Sequence, residues 1–93
     1  MNELEQYKAL ISEVIKKQII ILGPDIAVLK ARNVADLTID KDGTVTDIKG
    51  DPADALEKLI DTYVELSGQI VKNALGSIFT KYPAVAARRA TQA

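Results

Sequence analysis

A chain of 93 residues, 47% apolar and carrying a formal net charge of −1, has room for one small domain. It holds no cysteine and no histidine. That excludes a disulfide framework, thiol chemistry, the commonest zinc ligand and the commonest general base near neutral pH.

One Phe and three Tyr leave the core to Ile, Leu, Val and Ala, which suits layered helices. A domain of this size often gains stability by oligomerising. The charge is uneven: residues 1–35 carry five basic and four acidic groups, residues 36–57 two and seven, and residues 58–93 five and two. An acidic middle between mildly basic flanks can pair between subunits, although exposed charges mostly just solvate a surface. The opening "MNELEQYKAL" is acidic and amphipathic rather than basic then apolar, so it reads as no signal peptide, and a cytoplasmic home is expected. The longest purely apolar run, residues 19–22, falls far short of the roughly 20 residues that span a bilayer.

Residues 2–22 read as a helix. Leu4, Tyr7, Ile11, Val14, Gln18 and Ile21 recur at alternating steps of three and four, which lines one face. Leu10, Ile15 and Leu22 widen the stripe. Gln18, mid-stripe, is placed to set register in a helical seam or to lie at its edge.

"LGPDIA" follows. Gly23 can end a helix and Pro24 can begin one, since the first helical turn makes no use of its N–H. The spacing therefore predicts a break here, with one helix kinked at Pro24 as the alternative. Asp25 suits the positive end of a new helix, and Ile26, Leu29 and Val34 continue an apolar face to about Ala35.

Over residues 37–48 the period changes to short, β-branched, partly alternating runs around "DKDG", which predicts a β-hairpin. The pattern expects Ile39 near Val45 and Leu37 near Asp47, with Ile48 displaced. A hairpin alone is marginal, so this one is expected to pack on a helix or to pair edge to edge with a second chain.

The next helix starts with Asp51 as N-cap, Pro52 at the first helical position and Asp54 three residues after the cap. It is predicted to run to about Tyr82, where Pro83 stops it, giving a length of about 46 Å. Leu56, Leu59, Ile60, Tyr63, Leu66, Ile70, Ala74 and Ile78 fall on its apolar face. Gly68 and Gly76 within it permit close approach of a partner helix, or are simply tolerated. Residues 1–83 thus form one mainly helical domain, and 84–93 a small, basic tail.

Two long amphipathic helices cannot cover two broad apolar stripes by themselves. A helical hairpin completed as a multi-helix bundle by a second copy is one solution. A third helix over residues 24–35, folded back onto the stripe, is the other.

The aspartate-rich turn invites comparison with a calcium loop. With Gly43 at the sixth position, Asp42 and Asp40 fill the fifth and third. Thr38 then stands where an aspartate belongs and Lys49 where the bidentate glutamate belongs, so Asp40 and Asp42 are weak metal candidates and a turn is the better reading. Acid–base catalysis by Asp40, Asp42, Asp47, Asp51 or Asp54 is disfavoured, because two of them serve a helix start and the rest sit about an exposed turn. No phosphate-binding motif surrounds Gly23, the basic residues are scattered without aromatic interleaving, and the amphipathic stripe suits a protein core better than a membrane. No catalytic residue and no cofactor are expected.

The sequence favours a non-enzymatic protein–protein interaction module acting as a homo-oligomer. The stripe formed by Leu4, Tyr7, Ile11, Val14, Ile21, Leu56, Ile60, Tyr63, Ile70, Ala74 and Ile78 would supply core and interface. A ligand- or ion-sensing module near the Gly23–Pro24 break is the second reading, and a membrane-surface helical protein the third.

Overall fold

The first helix begins where Asn2 offers a cap: its Oδ1 accepts the Glu5 backbone N–H at 2.8 Å. Glu3 and Glu5 in the first turn add favourable charge at the positive end of the helix. In this computed structural model, which describes residues 2–67, 78 and 82, α1 spans Glu3–Leu22, α2 Pro24–Arg32, β1 Leu37–Ile39, β2 Val45–Ile48 and α3 Pro52–Ser67.

The chain breaks at Gly23. Its N–H donates to the Ile19 carbonyl at 2.9 Å, and its backbone then swings to φ 90°, ψ 154°. That conformation is open essentially to glycine alone. Pro24 takes the first position of α2, with Asp25 in the first turn and Lys30 and Arg32 in the last. The helix then packs back along α1, which makes the break a reversal and not a kink. The expected extension to Ala35 stops early: α2 ends at Arg32, and tight turns carry the chain through Val34 into β1.

The hairpin is antiparallel, and its register differs from the expectation at one end. Ile39 does face Val45, but Leu37 faces Ile48 rather than Asp47. A β-bulge between these pairs places Thr46 as an extra residue. Leu37, Ile39, Val45 and Ile48 are consequently all buried, while Thr38, Thr46 and Asp47 stay exposed. The turn closes through Gly43 N–H to the Asp40 carbonyl and Asp40 N–H to the Thr44 carbonyl, with Gly43 at φ 90°.

This hairpin lies on α1. Ser12, on the core side of that helix, donates its hydroxyl to the Lys8 carbonyl at 2.7 Å and accepts the Val45 N–H at 2.9 Å. At the tip, Gly43 sits so close that an added Cβ would lie 3.0 Å from both Ile15 Cγ2 and Ile19 Cδ1.

Asp51 caps α3 as predicted, its Oδ1 accepting the Ala53 N–H at 3.0 Å. The helix buries Ala55, Leu56, Leu59, Ile60 and Tyr63. Tyr63 is fully enclosed and donates its hydroxyl to the Ala27 carbonyl on α2 at 2.7 Å. Leu10, Ile11, Val14 and Ile15 from α1, Ala27, Val28 and Ala31 from α2, the four hairpin side chains and the α3 face make one core. Each fully buried large side chain contributes about 1.5–3 kcal/mol relative to exposure. Of the two expected ways to cover the stripes, the single chain uses the folded-back third helix, with the hairpin beside it. The rest of the helix expected to reach Tyr82, with Gly68, Gly76, Ile70 and Ala74, lies outside the described residues apart from Ile78 and Tyr82, as does the tail 84–93.

Candidate functional site

The aspartate turn has a local task. Asp42 Oδ1 accepts the Thr44 N–H at 2.9 Å, and this bond above all holds the exposed carboxyl below its ordinary pKa. Asp40 takes part in the turn through its own N–H and carbonyl. Among the described residues no group of three or more His, Cys, Asp or Glu side chains is placed to hold a metal ion.

The predicted stripe divides in two. Tyr7, Ile11, Val14, Leu56, Ile60, Tyr63 and Ile78 are buried inside the chain, and Gln18 is buried with them. Leu4 and Ile21, assigned to the same stripe, are 40% and 42% exposed. Ile70 and Ala74 lie outside the described residues.

The surface feature that spacing alone missed is on α2. This helix turns small residues inward, with Ala27 and Ala31 fully buried and Val28 nearly so. Its large apolar residues point out, Ile26 being 49% and Leu29 61% exposed. The expected apolar face through Ile26 and Leu29 is therefore the outer one. The signal was present in the sequence: Ala27 and Ala31, four apart, make one small-residue face that allows close approach, and the Tyr63 hydroxyl reaches the Ala27 carbonyl there. Ile20, 79% exposed, and Leu66, 44% exposed, are further large apolar side chains at the surface.

A groove of about 400 Å³ runs beside Leu29, lined by Pro24, Asp25, Val28, Arg32 and Lys41. Arg32 is anchored there, its Nη2 donating to the Ile39 carbonyl at 3.1 Å. A second groove of about 290 Å³ joins Ile20 and Ile78 to Glu13, Lys16 and Lys17. Tyr82 lies beside Glu13; desolvation first, and then the Glu13 charge and hydrogen bond, raise its pKa. Apolar floors with charged rims suit contact with another macromolecule better than proton transfer. Among the described residues, no helix is long and apolar enough to cross a membrane.

No protein-family model, curated protein or solved structure matches the chain.

Proposed function

We propose that this chain is a small, non-enzymatic protein–protein interaction module that assembles with itself through exposed apolar helix surface. One observation carries the reading. A chain whose own helices and hairpin already close a core still leaves Leu4, Ile20, Ile21, Ile26, Leu29 and Leu66 between 40% and 79% exposed. Single exposed apolar residues are ordinary, and what supports a contact surface is the number of large ones, six across three helices. Without histidine or cysteine, and with the Asp42 and Asp51 carboxylates held in local backbone bonds, the chain offers little for acid–base or nucleophilic chemistry. The reading includes a cytoplasmic home, which the lack of cysteine permits.

Native mass measurement on the full chain tests it. The expected result is a reversible rise from one copy to two or more as concentration passes through the micromolar range. A mass of one copy up to millimolar concentration overturns self-assembly.

A further inference from the structure

We propose that α1 and α2 close the outer edges of the hairpin against strand addition, and that Arg32 is the guard on the edge of β1. The inference stands apart from the assembly reading above, which concerns helix surface and not the sheet.

A two-stranded sheet has two outer edges, and an open edge is a template for a strand from another chain. The bonding pattern shows which groups of β1 face outward. The Asp40 N–H donates to the Thr44 carbonyl and the Asp36 carbonyl accepts the Lys49 N–H, so both residues bond towards β2. Residues alternate along an antiparallel ladder, so Leu37 and Ile39 turn their N–H and C=O groups the other way. Both ends of that outward row are engaged. The Leu37 N–H donates to the Val34 carbonyl at 3.0 Å, and the Ile39 carbonyl accepts Arg32 Nη2 at 3.1 Å. At most the Leu37 carbonyl and the Ile39 N–H are left for an incoming strand.

The edge of β2 is closed in another way. The Val45 N–H, turned away from β1, donates to Ser12 Oγ on α1 at 2.9 Å. Beyond Val45 the bulge at Thr46 interrupts the row before Ile48. The strands are also short, three and four residues, which limits what an added strand could gain.

Arg32 differs from the other closures in being exposed and charged. A strand laid on the edge of β1 must break its bond to Ile39 or bury its guanidinium, and an unpaired buried charge is costly. The other contacts are tied to the interior, since Ser12 is buried and Val34 belongs to the core. Arg32 is therefore the guard that can be removed with the core left intact.

The test is thioflavin T fluorescence on the agitated full chain, with circular dichroism before each run to confirm the fold. Arg32→Ala and Arg32→Ser remove the guard, and each should form thioflavin-binding assemblies about tenfold faster than the parent. Arg32→Lys keeps a charge and a donor near the edge and should behave as the parent. Lys30→Ala removes a charge from the same helical turn, and Tyr63→Phe removes a bond between α3 and α2; both should stay close to the parental rate. If Arg32→Ala and Arg32→Ser assemble no faster than these two controls, the guard is refuted. Assemblies that do not bind thioflavin overturn strand addition as the route. Loss of fold in both Arg32 variants would make the residue a structural one and overturn its guarding role. A parent that associates through its helices stays dark to thioflavin, so this inference and the assembly reading fail separately.

Discussion

The hydroxyl of Tyr63 on α3 reaches the backbone carbonyl of Ala27 on α2 at 2.7 Å, joining the two helices through residues 36 apart in sequence inside a fully enclosed site. Ala27 has no side chain beyond Cβ, which is why the phenol can come this close. Tyr63→Phe keeps the ring and removes the bond, and should cost about 1 kcal/mol near neutral pH. Denaturant unfolding measures it, and an unchanged midpoint would show the bond to be idle.

The same residue sets a pH dependence. Burial raises the Tyr63 pKa well above its ordinary value of about 10. Below that ordinary value both folded and unfolded chains keep the phenol proton, and the contribution to stability is complete. As pH rises past it, the unfolded chain releases the proton while the folded chain holds it, so stability falls. Melting temperature should therefore drop more steeply above pH of about 10 in the parent than in Tyr63→Phe. Equal slopes in the two proteins would mean that Tyr63 titrates no differently on folding.

Ser12 ties α1 to β2 across 33 residues of sequence. Removing its oxygen strands the buried Val45 N–H. Ser12→Ala should cost about 1–3 kcal/mol, and Ser12→Thr should keep part of that if its hydroxyl holds the same position. Amide hydrogen exchange at Val45 should quicken in Ser12→Ala; exchange at the parental rate would show that another acceptor had taken over.

Gly43 meets α1 through the absence of a side chain. An alanine there faces two obstacles, a positive φ of 90° and Ile15 Cγ2 and Ile19 Cδ1 at 3.0 Å from its Cβ. Gly43→Ala should cost about 2 kcal/mol or more. Ile19→Val deletes the Cδ1 atom, so in that background the same substitution should cost less. A double-mutant cycle reads the coupling, and a value of zero would place the cost wholly in the backbone.

Features with local chemistry were legible in the sequence. Gly23–Pro24 announces a helix boundary, Asp40 to Gly43 a turn and Asp51–Pro52 a helix start, because each signal acts on the backbone within a few residues. The side of α2 that faces inward was not legible. Hydrophobicity alone favours Ile26 and Leu29, yet Ala27 and Ala31 are the buried pair, with the Tyr63 hydroxyl on the Ala27 carbonyl. The part played by Ser12 was likewise not legible, because its partner, Val45, arrives from the hairpin 33 residues on. The exposed α2 surface was hidden for the same reason, since exposure is decided by what the rest of the chain fails to cover.

The bulge at Thr46 has a consequence for how this chain tolerates changes in length. Val45, Asp47 and Ile48 read inward, outward, inward once Thr46 is skipped, opposite Ile39, Thr38 and Leu37. A chain lacking Thr46 would pair in regular register with the same four side chains buried, at the loss of the Thr46 hydroxyl contact to the Thr38 carbonyl at 3.3 Å. Deleting Asp47 as well would leave Val45 beside Ile48 and send one of them to solvent, since neighbouring strand residues face opposite ways. Within β2, then, position 46 is where a homologous chain can be one residue shorter without repacking its interior.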